Sequence, residues 1–411
     1  MRQMKDSGIE WIGEIPEGWA VVKLSSFYNF EKGKKAALYT KEYIAENIGE
    51  YPVFSGQTEN DGIMGFVDSY DYDLEECLFT TTVGAKVMTP KVLHGKFCLS
   101  QNCLIMTVNN VCNNHFIFYF LNSLFDYEKS AIPSYMQPSL RITDLKKYII
   151  CLPILEVQQK IANFLNDKCK KIENLIAYEE ATIEELKAYK QSVITEAVTK
   201  GLDKSVPMKD SGIAWVGDYP IHWTQRRGKF VMNLLSKPVR DDDGVITCFR
   251  DGEVTLRSNR RENGFTMADK EIGYQGIDIG DLVVHGMDGF AGAIGVSDSR
   301  GKGSPVLNVL DTKQDKRYIM YYLRSMAFND VFTALSTGIR VRSCDLRWNK
   351  LAELLYPLPP IAEQHKIVQV IDQKCDDIDN LISIKQQKIE ELKEYKKSLI
   401  YEYVTGKKEV S

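Results

Sequence analysis

The chain repeats itself. Residues 4–19 read MKDSGIEWIGEIPEGW and residues 208–223 read MKDSGIAWVGDYPIHW, an offset of 204. A longer match joins 152–201 to 358–407 at an offset of 206, and IEELK stands intact at 183–187 and 389–393. The order is leader, variable block, helical block, then all three again. Each repeat is one structural unit, so the fold is built from two of them. Between the matching frames lie residues 20–150 and 224–356, which show no obvious mutual similarity; only their ends match loosely, 140–145 against 340–346. Drift after duplication would not spare the frames and erase the inserts. Duplicated frames with different inserts imply one scaffold presenting two different readers.

The helical blocks carry a seam. In the first, apolar side chains fall at Leu165, Cys169, Ile172, Ile176, Ile183, Leu186, Val193 and Ala197, with Glu179 and Lys190 breaking the register. In the second they fall at Ile371, Cys375, Ile378, Ile382, Ile389, Leu392, Leu399 and Tyr403, with Lys385 and Lys396 as the interruptions. Spacings of three and four make an a/d stripe of about five heptads. Pro153 and Pro359-Pro360 set extended backbone before each helix, and Gly201 and Pro207 end the first. A helix of about 44 residues spans roughly 65 Å, too long to be covered by one small domain. The cheapest partner for each seam is the other copy in the same chain. An approximate dyad makes that pair antiparallel, with the variable domains at opposite ends of a rod. The alternative is two amphipathic helices, each lying on its own domain.

The expected fold is therefore α+β: two globular domains separated by two long helices packed as an antiparallel intramolecular coiled coil, in a pseudo-twofold tandem duplication. The boundaries read 1–151, 152–204, 205–357 and 358–411. Within the first variable block, Tyr51–Gly56, Asn60–Val67 and Phe79–Val87 read as short strands with tight turns, and 113–125 as a helix. In the second, 281–285 and 291–296 read as a strand pair joined through glycine, and 317–328 as a helix.

Composition bounds the function. The 411 residues are 44% hydrophobic and 26% charged, an ordinary globular mixture. No run of 18 apolar residues suggests a membrane span or signal peptide. Nine scattered cysteines without a C-x-x-C pair argue for reduced thiols and a cytoplasmic location, and five scattered histidines argue against a zinc site.

A net charge of −4 argues mildly against a nucleic-acid binder, but the blocks differ. Residues 20–150 hold 12 Lys and Arg against 14 Asp and Glu; residues 224–356 hold 20 against 17, and 13 of the 20 are Arg. Arginine suits bidentate contact with guanine edges and phosphates. Arg250, Arg257, Arg260 and Arg261 form one cluster, Arg340, Arg342 and Arg347 another. The first block offers Gln57, Thr58, Asn60, Lys86, Gln101, Asn102, Ser134, Tyr135, Gln137 and Arg141, where Gln and Asn match adenine. Each of these, taken singly, is more often an ordinary surface or turn residue.

Catalytic motifs are missing. No G-x-x-x-x-G-K-[ST], G-x-S-x-G, H-E-x-x-H or Asn/Asp-Pro-Pro-Tyr/Phe run occurs. The glycine-rich 288–295 segment is followed by Val296 and a polar turn instead of a helix, so it reads as a hairpin and not a cofactor loop.

The leader pattern S-G-I-x-W-[IV]-G at 7–13 and 211–217, the L-P-x-x-x-x-Q-x-K-I pattern at 152–161 and 358–367, and the stretch 53–63 resemble the specificity subunits of type I restriction–modification systems. The resemblance covers essentially the whole chain. It implies a non-catalytic subunit in which each variable domain, a target-recognition domain, reads one half of a split site on double-stranded DNA. It also implies helices that set the spacer, two modification subunits docked on the scaffold, and restriction subunits as optional further partners. S-adenosylmethionine, ATP and magnesium would belong to those partners, with no cofactor in this chain. An adaptor whose inserts bind protein, and a fused methyltransferase, are the competing readings.

Overall fold

The leaders fold first by local rules, and identically. In the computed structural model, which describes residues 2–57, 60–84, 86–133, 135–260, 271–334 and 346–410, Met4–Asp6 pairs with Glu14–Pro16 and Met208–Asp210 with Asp218–Pro220. Between the strands Asp6 and Asp210 each accept from the amide two residues on, at 2.9 Å, and the Ser7 and Ser211 amides each donate to the carbonyl of Gly13 or Gly217 at 3.0 Å. The shared S-G-I-x-W-[IV]-G run is thus a turn code, with the side-chain oxygen of Asp standing in for a backbone acceptor.

The chain forms two compact units, residues 1–179 with 387–411, and residues 180–386. The division by sequence sets the helices apart as segments of their own; the structure apportions each helix between the units.

In the first unit a six-stranded sheet runs in the order Tyr28–Lys32, Cys103–Val108, Tyr72–Thr81, Lys91–Leu99, Ile48–Phe54, Ile63–Val67. All neighbours are antiparallel except 48–54 against 91–99. Helix Asn114–Ala131 covers it with Phe116, Ile117, Phe120, Leu121, Leu124 and Phe125, a stripe at helical spacing. In the second unit a four-stranded antiparallel sheet runs Met232–Leu234, Leu307–Thr312, Leu282–His285, Ile294–Val296, with helix Lys316–Phe328 against it. The first three strands of each sheet, and the helix after them, correspond. The unlike sequences of the variable blocks hide this shared core. The 282–285 and 294–296 pair is the expected glycine hairpin, with a short 3-10 turn at Gly289–Ala291.

The frames close each unit. Ala20–Lys23 pairs with Ile149–Leu152, and Thr224–Arg227 with Leu355–Leu358. The short helix Ile142–Leu145 corresponds to Trp348–Leu351, so Arg141 matches Arg347. This corrects the alignment of the block ends read from sequence, which set 140–145 against 340–346.

The glutamine of the L-P-x-x-x-x-Q motif has a physical job. Gln158 and Gln364 are 2% and 0% exposed. Each accepts from the backbone amide at the cap of the domain helix (Asn113 at 2.9 Å, Asp315 at 3.0 Å) and donates to its own Pro153 or Pro359 carbonyl, at 2.7 and 2.8 Å. It ties the start of the long helix to the start of the domain helix.

The long helices are Leu155–Lys200 and Ile361–Val404. In the first unit Leu165, Cys169 and Ile172 join Leu399, Ile400 and Val404 in one core; in the second, Ile194, Ala197 and Val198 join Ile367, Val368, Ile371 and Cys375. Within each unit the segments run antiparallel. Glu173 meets Lys396 and Glu179 meets Lys388 in the first unit, and Lys190 meets Asp379 in the second, at 2.5 to 2.6 Å. Glu179, the interruption seen in the sequence, is buried, and Lys388 supplies its counter-charge. Of the expected seam, Ile183, Ile378 and Ile389 are buried, while Ile176, Leu186, Val193, Ile382 and Leu392 are half-buried; Ile194 takes the buried place beside Val193.

The helices end against a leader in the same unit. Gly201 (φ +75°) and Gly406 (φ +71°) hold a left-handed backbone that disfavours a side chain, and a Cβ would crowd Trp223 at 3.2 Å in one case and clash with Pro16 at 2.5 Å in the other. The two tryptophans under these ends differ in one respect. Trp223 donates from Nε1 to Glu363 at 3.0 Å, and His222 meets the same carboxylate at 2.9 Å. Val157 stands where Glu363 does, and the buried Trp19 Nε1 has no partner among the described residues. Glu363→Val should therefore cost about 2 kcal/mol, the penalty of an unmet buried donor. Thermal unfolding checks it; an unchanged melting temperature would mean water already serves these indoles.

Candidate nucleic-acid interface

In the first unit the loops at one end of the six-stranded sheet are stitched together. The Thr82 amide donates to Asn102 O at 2.9 Å, Leu140 donates to Thr82 O at 2.8 Å, and Val83 bridges Ser139. The Ser100 amide donates to Phe54 O at 2.9 Å, which brings in the 55–62 loop. These bonds gather Gln57, Asn60, Lys86, Gln101, Asn102, Tyr135, Gln137 and Arg141, scattered over 84 positions, onto one loop cluster. Asn60, Asp61 and Asn102 adopt positive φ (47°, 55° and 66°), where Asn and Asp are tolerated best. Gln57 is partly committed, since its Nε2 donates to Ile63 O. Tyr135 is 85% exposed, and Gln137, Asn60, Gln101 and Asn102 are exposed as well. Thr58 and Ser134 lie outside the described residues.

In the second unit Arg250, Arg257 and Arg260 surround the hairpin Ile246–Cys248 and Val254–Leu256. Their charges are answered locally. Arg250 donates to Asp288 at 2.8 Å, Arg257 Nε to Thr247 at 3.4 Å, and Arg260 binds Asp251 and lies 3.2 Å from Glu253, over the Phe249 ring at 4.3 Å. Burial pushes the Asp251 carboxyl up, but the hydrogen bond and charge of Arg260 outweigh it and leave it below its usual range. Below this hairpin Lys237 and Arg300 hold Asp278 down to about 2. Arg261, Arg340 and Arg342 lie outside the described residues; Arg347 is exposed at the cap of its short helix.

The clusters offer amides, hydroxyls, guanidinium groups and an exposed ring, the equipment of recognition. The buried Cys77 and Cys103 thiols are pushed up to about 12 by desolvation, so they are poor nucleophiles. Among the described residues no group of His, Cys, Asp and Glu could hold a metal ion, and no helix is long and apolar enough to cross a membrane.

Residues 16–188 match the family model described as type I restriction modification DNA specificity domain. Over 96% of its length the chain is 25% identical to the type I restriction enzyme MjaVIII specificity subunit of Methanocaldococcus jannaschii, covering 93% of that protein. The chain is similar to type I specificity subunits, through a domain match at 16–188 and a relative aligned along nearly its whole length. A putative type I specificity subunit of Mycoplasma pneumoniae is 34% identical over 144 residues, 35% of this chain and 38% of that one. Against three such M. pneumoniae subunits the matched length is 38% to 54% of theirs. A chain solved in a study of assembly and conformational transition of the type I R-M system superposes with a TM-score of 0.68 at 12% identity. It covers 95% of this chain and 99% of itself, and shows the shared fold.

The sequence reading missed other exposed cations: Lys23, Lys146 and Lys147 in one unit, and Arg226, Arg227, Lys229 and Lys350 in the other. In each unit they come from two stretches more than 120 residues apart, so no window of sequence holds them together.

Proposed function

We propose that each unit reads one half of a bipartite, asymmetric DNA site. The long helices set the number of base pairs between the halves and dock two methyltransferase subunits, with restriction subunits as further partners. Adenine methylation with S-adenosylmethionine, and any ATP- and magnesium-dependent cleavage, would be the partners' chemistry. The observation that carries this reading is the contrast inside the duplication. The leader turn, the closing strand pair, the buried glutamine with its amide and proline bonds, and the glycine at the helix end all recur, while the loop clusters on that frame differ in strand number, charge and residue type. A conserved frame with unlike loops suits one docking geometry and two different targets. An adaptor for protein ligands would not need the second frame to match the first so closely.

The test is an exchange. Residues 20–150 are replaced by the variable block of a type I specificity subunit whose target is known. One half of the methylated sequence should change and the other half and the spacer should stay. A change in both halves, or in neither, would contradict the division of labour.

A further inference from the structure

The hairpin that carries the first arginine cluster turns at Asp251-Gly252. The Phe249 amide donates to Glu253 O at 2.8 Å and the Gly252 amide to Phe249 O at 2.9 Å, while Asp251 Oδ1 accepts from the Glu253 amide at 3.2 Å. Asp251 Oδ2 accepts from Arg260, which also lies 3.2 Å from Glu253. Gly252 has φ +93°, and a Cβ there would overlap Arg324 Nη1. The Arg324 guanidinium, on helix Lys316–Phe328, is therefore packed against the turn itself.

Arg324 is a second arginine at this turn, and it is unanswered. Its Nε is buried without a hydrogen-bond partner, and the guanidinium has no ion pair among the described residues. It lies 5.4 Å from the centre of the Phe328 ring. A cavity of about 460 Å³ opens beside it, lined also by Asp251, Glu253, Asp372, Asp376 and Asp379. Asp372 is taken by Arg317 and Tyr321, and Asp379 by Lys190, each at 2.6 Å. Burial raises the Asp251 carboxyl, and Arg260 first and Arg324 after it draw it down. The matching position in the first unit, set by the cap bonds of Gln158 and Gln364, is Asn122, which donates to Phe118 O at 2.9 Å within its own helix. The unanswered cation thus accompanies the arginine-rich block.

A largely buried cation without a partner is unfavourable to the folded chain, and such features persist where a second state answers them. For Arg260 to reach a phosphate or a base edge, its guanidinium must leave Asp251. The bared carboxylate would then repel the duplex.

Resting on the DNA reading above, we infer that Asp251 has two arginine partners, used in turn. In the free protein it holds Arg260; on DNA, Arg260 moves to the duplex and Asp251 passes to Arg324. Arg324 is a positioning residue: it touches no DNA and acts by neutralising the carboxylate that Arg260 leaves.

The test uses the full-length chain co-purified with its modification subunits, and a fluorescein-labelled duplex carrying the motif whose methylation depends on this chain. Binding is followed by anisotropy and unfolding by calorimetry. Arg324→Met removes a guanidinium that makes no hydrogen bond in the free protein, so the melting temperature should hold or rise. Affinity for the duplex should fall about tenfold, and the same substitution beside Asp251→Asn should change it less than about twofold. A lowered melting temperature, or a variant that does not fold, would make Arg324 a structural partner already in the free protein and overturn the exchange. An unchanged affinity would overturn it too, as would a loss that persists in full beside Asp251→Asn. A loss abolished by Asp376→Asn instead would assign the guanidinium to the long helix. In each of these cases the DNA reading stands. If no motif depends on the chain, both proposals fall together.

Discussion

Gln364→Ala should lower the melting temperature of this protein by roughly 6–12 °C. The side chain is fully buried and makes three hydrogen bonds: it accepts from the Asp315 amide at 3.0 Å and donates to Pro359 O at 2.8 Å and Gln314 Oε1 at 2.7 Å. Alanine leaves a buried amide and a buried carbonyl unmet and opens a cavity, together about 3 kcal/mol. A domain of this size loses about 2–4 °C per kcal/mol. In the other unit Gln159, next to the motif glutamine Gln158, accepts from Asn113 at 2.6 Å but is exposed, so Gln159→Ala should cost under about 1 kcal/mol. Differential scanning calorimetry compares the two. Equal small shifts would mean the motif glutamine is not the joint between long helix and domain helix.

The second large effect falls on recognition and leaves stability alone. Tyr135→Ala combined with Gln137→Ala removes two exposed side chains from the first loop cluster, so the melting temperature should hold. If both touch base edges, each contributes about 1–3 kcal/mol, and affinity for the target should fall on the order of a hundredfold. The half-site read by the other unit should be unaffected, so methylation would relax at one half only. Unchanged affinity for a target duplex would place the readers elsewhere in the loops.

The duplication made most of the scaffold legible. Seam positions such as Leu165, Ile172, Ile371 and Leu399 could be named because a helical stripe is periodic, and its partner followed from the second copy. The buried Glu179 showed as a break in that period, though its counter-ion Lys388 did not, since the pairing lies 209 residues away. The correspondence of the two sheets was not legible. Strand pairing is non-local, and the matching strands share topology without sharing side chains. Gln158 and Gln364 were visible as a motif, but their hydrogen bonds join elements 45 to 50 residues apart. At the interface, residue type pointed to Gln, Asn and Arg. Type cannot tell an available arginine from one already answered: Arg250 and Arg260 turn out to face Asp288, Asp251 and Glu253, whereas Arg226 and Lys146 stand free of ion pairs in the described structure.

The most direct test of the central claim is a genome-wide map of N6-methyladenine in the host, with and without the gene for this chain. The account predicts one split, asymmetric motif whose methylation disappears on deletion and returns with the wild-type gene. If every methylated motif persists unchanged in the deletion, with the partner methyltransferase genes intact, this chain does not direct adenine methylation and the proposed reading of its two loop clusters is wrong.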